Sequence, residues 1–238
     1  MFTVALIGPD GAGKTTISHR LRELLPLPVK YVYMGVNADS SNHMLPTTRL
    51  VRALKRFCGA KPDTAGPRDP NQVRMRPKGL LRRAAAEAKS MLGFLARASE
   101  EIFRQTLAEY YRWRGHVVLF DRHYFSDYYN YDIASHGRYL PLGRRLHGLF
   151  LQHVYPKPDL VVYLDAPAEV LFARKGEGSI AVLERRRQDY LQMRELVRQF
   201  VVVDASRPQE EVARDVADRI CRFCRANTDG VKEAADVA

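Results

Sequence analysis

The stretch VALIGPDGAGKTT, Val4 to Thr16, constrains this chain more than any other. A continuous apolar run enters a glycine turn. A lysine and two threonines follow, and then a helical pattern. Gly8, Gly13, Lys14 and Thr15 show the spacing Gly-x-x-x-x-Gly-Lys-Thr, which marks a phosphate-binding loop when it joins a strand to a helix. The glycines let backbone N–H groups converge on phosphate oxygens. The helix starting near Lys14 adds the positive end of its dipole. The loop is therefore expected to hold a nucleoside triphosphate, with contacts over Gly8, Pro9, Asp10, Gly11, Ala12, Gly13, Lys14, Thr15 and Thr16. Lys14 is expected at the β and γ phosphates, the Thr15 hydroxyl on Mg²⁺, and Thr16 near the α phosphate.

The rest of the chain supplies a scaffold of matching kind. TVALI (3–7), VKYVYM (29–34), HVVLFD (116–121), DLVVYLD (159–165) and FVVVDAS (200–206) read as strands. Continuous apolar runs of this length suit strands buried on both faces. Helix-period stretches lie between them, over 80–113, 167–175, 181–198 and 208–225. The alternation predicts an α/β fold, a five-stranded parallel sheet flanked by helices, in one domain over 1–225. Strand C-termini then lie along one edge, and three of the runs end in Asp121, Asp165 and Asp204. The stripe Leu81, Ala84, Ala88, Leu92, Leu95, Ser99 and Ile102 is expected to be the buried face of the long helix. Residues 226–238 read as a frayed tail. The apolar start Met1–Ile7 is too short for a signal sequence, and three cysteines make no disulfide framework. A cytoplasmic protein is expected.

Residues 37–80 interrupt the alternation with Pro, Gly, Ser, Asn and Arg. A connection this long is usually functional or disordered. Between Arg49 and Lys89 stand twelve Lys/Arg against three acids, a net +9 of the chain's +11. One reading is a solvated basic surface. The other is a surface for an anionic partner: a phosphorylated substrate, a membrane or a glycan. A nucleic-acid partner is not expected.

Two further elements bear on the chemistry. Asp121 and Arg122 end a buried strand, where the acid can hold Mg²⁺ and the arginine can grip a phosphate with both nitrogens. In RKGEGSIAVLERRRQDY, 174–190, Gly176 and Gly178 interrupt a helix, and Arg185, Arg186 and Arg187 follow. This reads as a short helical lid, or as a solvated basic face. Phosphoryl transfer needs in-line positioning, neutralised oxygens and exclusion of water, and a lid with arginines supplies the last two.

These residues resemble the thymidylate kinase family of nucleoside-monophosphate kinases. The resemblance touches most of the chain except 35–80 and about 133–153. GPDGAGKTT resembles the family's phosphate loop, including the acid at Asp10. DRHYFS resembles its D-R-Y-x-x-S, with His123 for the tyrosine and Ser126 kept. KPDLVVYLDAPAEV, RKGE…RRRQDY and VVVDASRPQEEV resemble the strand before the lid, the lid, and the loop that cups adenine. The resemblance implies a three-layer P-loop kinase fold and ATP with Mg²⁺ as donor. It implies Lys14, Asp121, Arg122 and Arg187 in catalysis, and Arg174 and Ala205 beside ATP. Thr15 and Asp121 would hold the metal. Asp10, Arg97, Arg122 and Ser126 would meet the acceptor. The family's R-E-P segment is absent, and YVYMGVN stands there instead.

The leading expectation is an ATP-dependent kinase of a nucleoside monophosphate, thymidylate first. The alternatives are a kinase of the same fold acting on a sugar, glycan or lipid-linked acceptor at a membrane surface, and a non-catalytic nucleotide-binding protein. A homodimer stays open. Cys221 and Cys224 are expected to pack in the core rather than bind zinc. Tyr124, Phe125, Tyr128, Tyr129 and Tyr131 suit either base stacking or core.

Overall fold

The computed structural model describes residues 1–35, 41, 43–57, 79–133, 139–176 and 178–236. Most of the 37–80 segment, with Cys58, Arg74, Arg76 and Lys78, lies outside them. The strands are β1 (Thr3–Ile7), β2 (Val29–Tyr33), β3 (Val117–Asp121), β4 (Leu160–Asp165) and β5 (Phe200–Asp204). The helices are α1 (Lys14–Leu24), α2 (Pro46–Phe57), α3 (Leu80–Trp113), α4 (Tyr124–Asp127), α5 (Leu142–Leu149), α6 (Ala168–Lys175), α7 (Ile180–Gln192) and α8 (Gln209–Asp236). The chain forms two compact units. One comprises Met1–Tyr31, Tyr110–Arg122 and Pro158–Ala238; the other comprises Val32–Glu109 and His123–Lys157.

The sheet order is β2-β3-β1-β4-β5. β1 pairs in parallel with β3 and with β4, and β4 with β5. All five residues of β1 and of β3 are buried, which accounts for their unbroken apolar sequence. In the first unit Val4 and Leu6 of β1 pack with Ile17 and Leu21 of α1 and with Val216 and Ile220 of α8. Each such side chain contributes roughly 1.5–3 kcal/mol by leaving water. This layer fixes the start of α1 against the sheet, and so fixes the loop that joins them. Cys221 and Cys224 pack against the same cluster from α8. α8 runs on to Asp236, past Ala226, where the sequence predicts a tail.

The long helix departs from its predicted face. Leu81, Leu92, Leu95 and Ile102 are 86%, 70%, 59% and 51% exposed. The buried residues are Ala98, Glu100, Glu101, Arg104, Gln105 and Ala108. The face turned inward is charged because its charges are partnered. The Arg104 Nε and Nη2 donate to Glu100 Oε1 at 3.0 and 2.9 Å, and Nη1 donates to the carbonyls of Tyr33 and Gly35 at 3.3 and 3.2 Å. Glu100 Oε2 in turn accepts from Thr48 Oγ1 at 2.8 Å and Leu45 N at 3.2 Å, which anchors the start of α2. Buried charges survive when paired and hydrogen-bonded in this way. Among the described residues no helix is long and apolar enough to cross a membrane.

Candidate active site

The first unit carries the phosphate loop. Its glycines are needed for distinct reasons. A Cβ on Gly8 would stand 2.6 Å from the Leu164 carbonyl oxygen, and one on Gly11 would stand 2.7 Å from that of Leu171. Gly11 also holds φ at +89°. The loop therefore lies with its backbone against β4 and α6, a position no larger residue could take. α1 begins at Lys14, and its Ile17 N–H donates to Gly13 O at 2.9 Å. Lys14 is buried; its ammonium donates to the carbonyls of Gly8 at 2.8 Å and Pro9 at 2.7 Å.

The register of β1 with β3 sets Asp121 opposite Leu6, one residue before the loop begins at Gly8's neighbour Ile7. Asp121 Oδ2 accepts from the Thr15 hydroxyl at 2.8 Å and from the Tyr31 hydroxyl at 2.9 Å. Asp121 Oδ1 is buried and has no hydrogen-bond partner. An orphaned carboxylate oxygen beside a threonine hydroxyl fits a hard, oxygen-seeking cation such as Mg²⁺.

Arg122 follows with φ +68°, the one non-glycine positive φ among the described residues. Its backbone N–H donates to Leu6 O at 3.0 Å, which ties the turn to β1. Its guanidinium donates to Asp10 Oδ1 at 2.7 Å. Arg186 donates to Asp10 Oδ2 at 3.1 Å, and Lys175 Nζ stands 3.9 Å from Oδ1. Burial opposes ionisation of Asp10. The charges of Lys14, Arg122 and Lys175 outweigh it and hold the carboxyl well below the usual carboxylate range. Three cationic side chains thus converge on one carboxylate at the mouth of the loop.

The lid begins where α6 ends. Gly176 takes the left-handed conformation that stops α6, and the Ser179 hydroxyl accepts from Val182 N at 3.3 Å to start α7. Arg187, predicted from the resemblance to be catalytic, forms a two-pronged pair with Asp165 at 2.8 and 2.9 Å and also donates to Glu184 at 2.6 Å. The Tyr163 hydroxyl donates to Asp165 Oδ1 at 2.8 Å. Burial raises the Asp165 pKa, but the hydrogen bonds from Arg187 and Tyr163 outweigh it and hold the carboxyl below its ordinary value. The residue that reaches the loop acid is its neighbour Arg186. Three consecutive arginines point about 100° apart on a helix, so one of them at most can face a given target. Which one faces Asp10 depends on where α7 starts. Arg174 donates to Ala205 O at 2.8 Å and Ser206 O at 3.2 Å, so the two residues predicted beside ATP lie together.

Arg97 and Ser126 belong to the second unit. The Arg97 Nε is buried without a hydrogen-bond partner. Ser126 Oγ donates to His123 O at 2.8 Å. His123 is fully buried and its pKa is pushed down to about 3, by burial first and then by the charge of Lys157. Tyr124 and Phe125 are buried, which suits the core reading for these two.

A model of the thymidylate kinase family matches residues 50–216. The chain is 26% identical over 216 residues to a probable thymidylate kinase 1 of Saccharolobus solfataricus, covering 88% of this chain and 91% of the relative. It is 29% identical over 229 residues to a probable thymidylate kinase of Staphylothermus marinus, covering 90% and 92%. A third similar protein, a probable thymidylate kinase of Archaeoglobus fulgidus, matches at 31% over 116 residues, 46% of this chain and 55% of that one.

Proposed function

We propose that this chain, which belongs to the thymidylate kinase family and is a nucleotide kinase, transfers the γ-phosphoryl of ATP to a nucleoside monophosphate, with thymidylate the first candidate. The observation that carries the reading is the Asp10–Arg122–Arg186 cluster on the phosphate loop. A triphosphate and an anionic acceptor both need cations there, and the carboxylate holds those cations in place until they arrive.

The roles follow from position. The loop N–H groups and Lys14 cradle the donor phosphates. Thr15 and Asp121 would hold Mg²⁺, which when bound neutralises charge on the β and γ oxygens. An oxygen of the acceptor phosphate forms a bond to the γ phosphorus as the bridge to the β phosphate breaks, and ADP leaves. Arg122 grips the acceptor phosphate, freeing Asp10 to accept from an acceptor sugar hydroxyl. Arg97 and Ser126 are the acceptor contacts of the second unit. Arg174 and Ala205 form the adenine side. Arg186 brings the lid's charge onto the transferring group, while Arg187 pins α7 to β4 through Asp165. Arg186→Ala is accordingly expected to cut turnover by ~10²-fold. Arg187→Ala should cost less turnover and more thermal stability. Parallel kcat and melting measurements on the two variants check this division.

A labelled-ATP screen over ribo- and deoxyribonucleoside monophosphates tests the acceptor. A site that hydrogen-bonds its substrate rejects analogues lacking those groups by up to ~10⁴-fold. One base should therefore be clearly preferred, with the diphosphate as product. Asp10→Ala should raise the acceptor KM more than the ATP KM. Normal ATP binding with no monophosphate phosphorylated would sink the reading. A second reading, a lipid-linked or glycan acceptor at an anionic surface, then takes its place. It draws on α2, where Leu50, Leu54 and Phe57 are 62%, 56% and 92% exposed in a helix without an acidic residue.

A further inference from the structure

α5 is wedged against two elements of the second unit at backbone distance. A Cβ on Gly143 would stand 2.2 Å from Ser90 O of α3. One on Gly148 would stand 2.1 Å from Asp132 O, in the π-helical turn Tyr129–Ile133. Between these two contacts on the same helix lies His147, fully buried. Its Nδ1 is 2.6 Å from Asp132 Oδ2, and its Nε2 is 2.9 and 3.1 Å from the two oxygens of Glu101. The Tyr128 ring stands edge-on to the imidazole at 4.6 Å and that of Phe94 at 6.2 Å. Arg144 closes the cluster on Asp132.

We propose that His147 is a positioning residue for the acceptor side: its ring cross-links α3, one turn beyond Arg97, to the segment that carries Ser126. The proposal rests on the kinase reading above. Glu101 is four residues from Arg97, so both lie on one side of α3. Asp132 and Tyr128 lie just after Ser126 in the chain. A shift of α3 against that segment would move Arg97 relative to Ser126, and a displacement of 1 Å can cost ~10²-fold in a site of this kind.

The chemistry of the link is charged. With a carboxylate on each nitrogen, both nitrogens donate when both acids are ionised, and the ring is an imidazolium. His147 and Arg144 then balance Glu101 and Asp132. Burial disfavours the charged ring, but the hydrogen bonds from Asp132 and Glu101 outweigh it and raise the pKa above the ordinary 6.5. The groups facing the ring are Glu101 from α3, Asp132 and Tyr128 from the turn region, and Arg144 from α5 itself. Tyr155 adds a hydroxyl that donates to Glu101 O at 3.3 Å. A pKa raised by folding stabilises the folded state fully below the unfolded value. That stabilisation is lost as pH rises through the higher folded value. The cross-link is thus intact at neutral pH and fails on the alkaline side.

The test uses the full chain, wild type and His147→Gln. Hydrogen exchange is read over 94–105 and 124–133, with β1, β3 and β4 as internal controls. ATP and monophosphate KM values are followed as pH rises from neutral. In the variant, exchange in the two segments is expected to quicken by ~10-fold or more while the strands keep their protection. The acceptor KM should rise by ~10-fold and the ATP KM stay within ~2-fold. In the wild type the acceptor KM should climb at alkaline pH, and that limb should be missing from the variant. Unchanged exchange, or equal rises in both KM values, overturns the proposal. If no monophosphate is turned over, the acceptor reading falls while the exchange result still decides the cross-link. If the variant does not fold, the wild-type alkaline limb decides; a flat acceptor KM there overturns it.

Discussion

Lys14→Ala is expected to cut phosphoryl transfer by ~10²–10³-fold, the usual consequence of removing one charge aimed at the transferring group. The variant should fold. Its lost contacts are two hydrogen bonds to the neutral carbonyls of Gly8 and Pro9. Each contributes about 1 kcal/mol net, so the thermal midpoint without nucleotide should fall by no more than a few degrees. Lys14 also supplies the largest of the charges that lower the Asp10 pKa, but Arg122 and Lys175 remain. Initial rates beside a melting curve separate the two effects. Near-normal turnover would remove the loop from the chemistry.

The second large effect is expected at Asp121→Asn. The amide oxygen can still accept from Thr15 and Tyr31, so local packing should be kept. What disappears is the negative charge beside the Thr15 hydroxyl. A carboxylate is a far stronger ligand for Mg²⁺ than an amide. Turnover should drop by ~10²-fold or more at ordinary Mg²⁺, with partial recovery as the metal is raised. Rate against MgCl₂ for both proteins is the measurement. Superimposable curves would show that Asp121 does not bind the cation.

Much of this architecture was legible in the chain itself. TVALI, VVLFD and FVVVD are strands because runs of apolar residues can be buried on both faces only inside a sheet. The phosphate loop was legible because its chemistry depends on neighbours in sequence. The inward face of α3 was not. Apolar periodicity selects Leu81, Leu92, Leu95 and Ile102, but the structure buries Glu100, Glu101 and Arg104. Those charges are tolerable only because their partners arrive from elsewhere: His147 lies 46 positions from Glu101 and 15 from Asp132. No local window contains such a pairing. Arg186 was missed for a finer reason. A run of three arginines shows that charge is present, and only the phase of α7 shows which side chain meets Asp10.

The left-handed backbone at Arg122 sets stability against use at a single position. A non-glycine residue there costs of the order of 1–3 kcal/mol, and glycine would relieve it. The relief would forfeit the guanidinium that reaches Asp10 at 2.7 Å. Selection for heat resistance alone would therefore drift this position toward glycine or asparagine, and selection for turnover would hold the arginine. A library sorted first for folding and then for activity would pull residue 122 in opposite directions.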